Sequence, residues 1–322
     1  MILALAGGVG GAKLANGLTT RLDADELLVV VNTGDDFEHF GLPISPDLDT
    51  VTYTLAGVNN PDTGWGLLGE TWTFMDTLES LGQETWFRLG DRDLATHVLR
   101  AWGFGKGHSL SRITTDIARQ YGVVHPIVPM SDQQVRTIVE TDMGSLPFQI
   151  YFVRDKCEPL AKAVTYEGAS EAHPSEAFSM ALDDSDISAI IICPSNPLLS
   201  IAPILALPDI KARLRAHMAP VIAVSPIIGG RAIKGPAAKM FSEMKLESSA
   251  LGVANYYRDI LDGIVIDSQD SHLVSAIASV GVRVITTDIV MGSTSDQVRL
   301  ADEVLKFARL TADSSECKAG DS

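Results

Sequence analysis

The sequence predicts an α/β fold: a Rossmann-like, mostly parallel sheet with helices on both faces, plus a mainly helical insertion and a few short antiparallel strands. Three observations carry this. The chain opens with an apolar run over residues 1–6, the turn Gly7-Gly8-Val9-Gly10-Gly11, a helical pattern from Ala12 to about Thr20, and then ELLVVVN at 26–32. That is a βαβ unit, whose crossover is right-handed. Similar runs return at 187–193 (ISAIIIC), 220–224 (PVIAV), 263–267 (GIVID) and 282–286 (VRVIT), with helical patterns at about 202–217, 236–244 and 252–261 between them. Continuous β-branched runs of this kind mark strands buried on both faces. Finally, most of these strands end in small, polar or turn residues, the edge where open parallel sheets bind their ligands.

Between the first two strands and the later ones the character changes. Residues 71–81 and 94–103 read as helices separated by turn clusters, so 49–118 is expected to be a mainly helical insertion. Residues 123–128, 135–140 and 148–153 read as short strands, with turns at Ser131-Asp132 and Asp142-Met143-Gly144. The last helix is expected over about 295–310. The division that follows is a core of 1–48 and 119–310, the insertion 49–118, and a polar, flexible tail at 311–322. A length of 322 residues fits about two domain equivalents, and such a chain buries a sizeable core without disulfides.

Charge and cysteine content narrow the function classes. With 25 basic against 41 acidic residues the net charge is −16, a surface that repels polyphosphate backbones, so no nucleic-acid partner is expected. The three cysteines, Cys157, Cys193 and Cys317, lack metal-site spacing, and so sparse and odd a set fits a reducing compartment. The start MILALAGGVGG lacks a basic leader region, and no apolar run approaches the length of a membrane span. A cytoplasmic protein with no membrane partner is expected.

Four segments carry candidate chemistry. In Gly7–Lys13 (GGVGGAK), Gly8, Gly10, Gly11 and Lys13 are candidate phosphate ligands. Glycines admit a phosphate close to the backbone, and the helix start offers free N–H groups and a positive dipole end. The pattern is neither a P-loop nor a full dinucleotide fingerprint, and a tight βα turn without ligand is the plain alternative. Asp35 and Asp36, then Asp47 and Asp49, place four carboxylates in fifteen positions of loop-like sequence. Crowded carboxylates call for a cation, and oxygen-only donors suit Mg²⁺, so Asp47 and Asp49 are its candidate ligands; a solvated acidic loop is the alternative. Arg88-Leu89-Gly90-Asp91-Arg92-Asp93 offers Arg88 or Arg92 to a planar anion, although Asp91–Arg92 also reads as a surface ion pair and Asp93 as a helix cap. Ser195-Asn196 and Ser225 to Gly230 sit at strand ends, where they serve as turns or hold a nucleotide.

Taken together, GGVGGAK, VVNTGDDFEHFGLPISPDLDTVTY, TWFRLGDRDLATH, PMSD, PSNPLLSI and SPIIGGRAIKGPAAK resemble the 2-phospho-L-lactate transferase family of coenzyme F-420 biosynthesis, in order from Met1 to about Asp267. The resemblance implies a transferase that moves a phospho-2-hydroxyacid group from a guanosine diphosphate-linked donor to the terminal hydroxyl of Fo, a riboflavin-like 5-deazaflavin alcohol, releasing GMP with Mg²⁺ as cofactor. It implies that Asp49 and Arg88 bind Fo, with Asp91 and Arg92 beside them. Gly8, Gly10, Gly11, Lys13, Ser195, Asn196, Ser225 and Gly229 would hold the guanosine diphosphate part. Asp49 is the first candidate for general base and Asp47 the second. A homodimer is expected for the family.

Two other readings compete. A non-catalytic UDP-sugar-binding regulator of similar fold also opens with a glycine-rich turn, but it has no need of Asp47, Asp49 and the Arg88–Asp93 segment together. A nicotinamide-dependent dehydrogenase would use Asp35 on a ribose hydroxyl, yet the third glycine of its fingerprint is missing.

Overall fold

The structure, a computed structural model, describes residues 1–232 and 235–319. In chain order the elements are β1 (Ile2–Ala6), α1 (Gly8–Thr19), β2 (Leu27–Val31), a hairpin of β3 (Phe37–His39) and β4 (Leu42–Ile44), α2 (Pro46–Leu55), α3 (Thr73–Ser80), α4 (Asp93–Gly105) and α5 (Leu110–Gln120). Then come β5 (Ile127–Pro129), β6 (Arg136–Thr141), β7 (Gly144–Pro147), β8 (Ala161–Glu167), α6 (Glu176–Asp183), β9 (Ala189–Ile192), α7 (Ala202–Leu205), α8 (Ile210–Ala216) and β10 (Val221–Val224). The chain closes with a short ribbon of β11 (Ile227–Ile228) and β12 (Arg231–Ala232), then α9 (Ala237–Glu243), α10 (Ala250–Tyr257), β13 (Gly263–Asp267), α11 (Val274–Ser279), β14 (Arg283–Thr287) and α12 (Thr294–Ala319).

The seven-stranded sheet has the order β14-β13-β10-β9-β1-β2-β5, and every pairing in it is parallel. Six of its strands are buried on both faces, as their unbroken apolar runs require, whereas the edge strand β14 is partly exposed. Along β1, Leu3 and Leu5 enter one core layer while Ile2, Ala4 and Ala6 enter the other. The order reverses between β1 and β9: the chain builds outward through β2 and β5, then returns to add β9 on the other side of β1. Loops leaving the two strands at such a switch point diverge and open a crevice. The expected fold class is therefore observed, including a small antiparallel sheet of order β7-β6-β8.

Several element expectations are corrected. Residues 148–153 are not a strand: Ile150–Arg154 forms a wide helical turn, and the third strand of the small sheet is Ala161–Glu167. The segment 123–128 yields a strand only at Ile127–Pro129, paired in parallel with β2. The single helix expected over 202–217 is broken, because Pro208 ends the first part and Asp209 adopts a left-handed φ of 61°. Helix α1 begins at Gly8, so the glycines form its first turn. Of the acidic stretch, Asp35 and Asp36 lie in the turn after β2 as expected, but Asp47 and Asp49 are not in a loop: Pro46 starts α2 and puts both in its first turn. Proline is preorganised for that place, and carboxylates there face the positive end of the helix. Finally, the last helix continues past residue 310 to Ala319; of the tail expected at 311–322, residues 320–322 lie outside the described residues. Among the described residues no helix is long and apolar enough to cross a membrane.

Candidate active site

The crevice at the switch point is built first from glycine. Gly7 extends the backbone out of β1, and its N–H donates to Ser195 Oγ at 3.1 Å. Gly8 turns the chain with φ of 62°, and its N–H donates to Asp47 Oδ1 at 2.6 Å. A Cβ at Gly10 would collide with the Pro194 carbonyl oxygen, and one at Gly11 would stand 2.5 Å from Ser195 Oγ. These glycines thus let the start of α1 sit directly on the loop that leaves β9. The expected partners Gly8, Gly10, Gly11 and Ser195 come together here. Asn196 joins them: its Oδ1 caps the following turn through Leu198 N–H at 3.0 Å, while its Nδ2 is shielded from solvent without a hydrogen-bond partner. Lys13 reaches across to the Met291 carbonyl at 2.8 Å. Ser225 closes its own turn on Ile227, accepting from its N–H at 3.1 Å, and the Gly229 N–H donates to the Asp270 carboxylate.

Asp47 is the bridge between this loop and the acidic segment. Its Oδ2 accepts from Asn32 Nδ2 at 2.9 Å, and the same amide reaches Asp35 Oδ1 at 3.2 Å. Burial raises the Asp47 carboxyl to about 6, against the hydrogen bonds from Asn32, Gly8 and Ser200. Asp35 is pushed well up by burial and by the neighbouring charges of Asp47 and Asp36, and burial raises Asp36 to about 7 despite the Ser45 hydroxyl on its Oδ2 at 2.7 Å.

Asp49, two residues along the same helix, faces elsewhere. Arg100 donates to its Oδ1, with a second guanidinium N–H on the Pro43 carbonyl at 3.1 Å. Asp49 Oδ2 is buried without a hydrogen-bond partner and lies 3.7 Å from His97 Nδ1. His97 Nε2 is 3.4 Å from Asp93 Oδ2, and the Tyr53 hydroxyl donates to Asp93 Oδ1 at 2.5 Å. Burial raises Asp49 more than Arg100 and His97 can lower it. Burial acts on Asp93 in the same direction, but there the bond and charge from His97 and the Tyr53 hydroxyl outweigh it and leave that carboxyl below its ordinary value. Asp49, Asp93 and His97 each offer one ligand atom within 4.8 Å of the others, an arrangement able to hold a metal ion. Asp47 is not part of that group; both its oxygens already accept hydrogen bonds.

The Arg88–Arg92 segment stands apart from this network. Arg88 pairs with Asp76 at 2.8 Å and lies over the Trp72 ring at 4.8 Å. Asp91 takes the N–H groups of Thr73 and Phe74 at 3.0 Å, so it serves as the cap of α3. Arg92 donates to the Leu68 carbonyl. Reading the sequence gave no role to the buried residues Asn32, Tyr53 and Arg100, and took His97 for a plain core or surface histidine. A signal for part of this set was present: Asp93, His97 and Arg100 fall at i, i+4 and i+7, one stripe of α4.

Comparison with known proteins bears out the resemblance drawn from the motifs. The family model described as 2-phospho-L-lactate transferase CofD matches residues 2–304. A phosphoenolpyruvate transferase of Kitasatospora aureofaciens is 38% identical over 95% of this chain and 97% of its own length. A 2-phospho-L-lactate transferase of Methanosarcina acetivorans is 39% identical over 94% of this chain and 98% of its own. Among solved structures, a UPF0052 family protein from Bacillus halodurans shares the fold with a TM-score of 0.60 at 14% identity, covering 94% of this chain and 98% of that one.

Proposed function

Since the chain belongs to the CofD family of 2-phospho-L-lactate transferases, we propose that its crevice transfers a phospho-2-hydroxyacid group from a guanosine diphosphate-linked donor to the ribityl hydroxyl of Fo, releasing GMP. The observation that carries this reading is that the first turn of α2 joins two features: Asp47 holds it to the amide-lined start of α1, and Asp49, turned the other way onto Arg100 and His97, keeps one oxygen unpartnered. The first is what a diphosphate needs; the second is what an attacking alcohol needs.

The donor's diphosphate lies against the N–H groups at the start of α1, with Ser195 and Asn196 on its flank. The unpartnered Asn196 Nδ2 supplies a donor to the nucleotide, and Ser225 and Gly229 line the same strand-end edge. Asp49 holds its carboxylate by one oxygen on Arg100, which leaves Oδ2 to take the proton of the Fo hydroxyl. Arg88, exposed beside Trp72, is the acceptor contact that the family pattern assigns, with Asp91 and Arg92 behind it through their hold on α3 and Leu68. Little covalent chemistry falls to the protein, whose task is an in-line pose and neutralisation of oxygen charge.

The donor set fits Mg²⁺. Carboxylates outnumber the guanidinium groups facing them, and Asp49 keeps a buried oxygen without a partner. Asp93 would hold the ion beside Asp49, whose free oxygen is the proton acceptor, and Asp47 stands nearer the donor phosphates. When bound, Mg²⁺ supplies charge neutralisation on the diphosphate. The enzyme acts on small molecules in the cytoplasm as a homodimer, with the helical segment 49–118 forming the acceptor side.

The test is a fluorescence titration of Fo with the purified protein, with GDP and Mg²⁺ present. Saturable binding that weakens in Asp49→Asn supports the acceptor site. No binding of Fo, with a UDP-sugar bound instead, would favour the regulator reading.

A further inference from the structure

The loop that follows β9 continues into a wide helical turn, Pro197–Ile201, which carries several of the contacts made at the crevice. Asn196 caps it through the Leu198 N–H, the Leu199 carbonyl accepts from Asn32 Nδ2 at 3.3 Å, and Ser200 bonds to Asp47. The closing main-chain bonds of the turn step by five residues: the Ile201 N–H reaches the Asn196 carbonyl at 3.2 Å, and the Ala202 N–H reaches that of Pro197. By the same step the Leu198 carbonyl needs the N–H of residue 203, which is a proline and has none. Leu198 is buried, and a buried carbonyl left bare is disfavoured.

The missing donor comes from another part of the fold. The Tyr166 hydroxyl, on β8 of the small antiparallel sheet, donates to the Leu198 carbonyl at 2.6 Å. Burial, with the neighbouring Tyr256 phenol, pushes the Tyr166 hydroxyl above its ordinary value, so it keeps its proton and remains a donor. Leu198 is thus held at both its main-chain polar groups, the carbonyl by Tyr166 and the N–H by Asn196 Oδ1 at 3.0 Å. A side-chain amide is planar, so fixing its oxygen also fixes the direction of its nitrogen. The direction of the buried, unpartnered Asn196 Nδ2 is therefore set by where Leu198 stands.

We propose that Tyr166 is a positioning residue for the donor nucleotide: acting through Leu198, it holds the Asn196 amide in the pose that offers Nδ2 to the guanosine diphosphate part. The small antiparallel sheet then has a role in the reaction, bracing the β9 loop through one hydroxyl. The inference rests on Asn196 binding the nucleotide.

The test is calorimetric titration of GDP, with Mg²⁺ present, into wild type, Tyr166→Phe, Asn196→Ala and the variant carrying both changes. Each single variant is expected to bind GDP about three- to tenfold more weakly, the contribution of one hydrogen bond. The combined variant is expected to bind no more weakly than Asn196→Ala alone, because Tyr166 acts through that amide. In turnover, Tyr166→Phe should raise KM for the donor and leave kcat near wild type. Adding Pro203→Ala to Tyr166→Phe gives residue 203 an N–H for the Leu198 carbonyl and should recover GDP binding, a comparison that holds even where Tyr166→Phe alone does not fold. Equal losses from Tyr166→Phe in both backgrounds, no recovery with Pro203→Ala, or wild-type affinity in Tyr166→Phe while Asn196→Ala is weakened would overturn the assignment and leave the nucleotide reading standing. If wild type binds no GDP, or Asn196→Ala binds it like wild type, the reading of Asn196 falls and this one with it.

Discussion

Asp47 and Asp49 show how much one helical step decides. An α-helix turns about 100° per residue, so carboxylates two apart point to nearly opposite sides. Asp47 meets Gly8 and Asn32, while Asp49 meets Arg100 and His97. For Asp49→Asn we expect turnover to fall by about 10²–10⁴-fold, the usual contribution of a positioned proton acceptor. The fold should suffer much less, because the amide oxygen still accepts from Arg100. Asp49→Ala would instead strand a buried guanidinium at a cost of about 3–5 kcal/mol. Equal losses of melting temperature and turnover in the Asn variant would count against the role. Asp36 makes a prediction about pH. Its carboxyl is raised to about 7 when folded, so it favours the folded state below its unfolded value near 3.8. That contribution is lost as pH rises through about 7. Melting curves from pH 4 to 8 should therefore show Asp36→Asn gaining on wild type as pH rises; a constant difference would contradict it.

At the scale of elements, the glycine-rich start of α1 is the part whose packing is most sharply determined. Gly10→Ala drives a Cβ into the Pro194 carbonyl, a backbone atom that cannot turn aside. Overpacking of this kind costs about 1–3 kcal/mol, to be read from denaturant unfolding, and guanosine diphosphate should bind more weakly as the β9 loop shifts. Unchanged stability would mean that α1 and that loop are not in this contact. The parallel strands were legible because their β-branched runs leave no other reading. The break at Pro208–Asp209 could have been read from the proline. The wide helical turn at Ile150–Arg154 could not, since a run such as FQIYFV satisfies a buried strand as well as a buried turn. The loop reading holds for Asp35 and Asp36 but not for Asp47 and Asp49, because proline and aspartate start helices as readily as they make turns. Asp91 illustrates the converse: a polar motif that invites a ligand reading is occupied by the α3 amides. His97 and Arg100 stayed hidden because a lone histidine or arginine on a helix gains meaning only when a partner helix faces it.

At the scale of the molecule, the strand order explains why residues from distant parts of the sequence share one crevice. The loops after β1, β2 and β9 all leave the same sheet edge, on either side of the reversal. That arrangement follows from the alternation of strands and helices, and it was readable as a rule before any coordinate. The reach of α4 back toward α2 was not, because nothing in local pattern fixes how a helical segment folds over a sheet. Removing Mg²⁺ with a chelator should leave the fold intact, since the sheet and its two core layers owe nothing to it, while transfer stops; a cooperative loss of structure on chelation would contradict this. The most direct measurement is a single-turnover reaction of the purified protein with Fo and a guanosine diphosphate-linked phosphoenolpyruvate or phospholactate, separating the products. We expect a new Fo phosphodiester and GMP in equal amounts, nearly abolished in Asp49→Asn. Hydrolysis of the donor with Fo left unmodified, or no reaction with either donor, would contradict it.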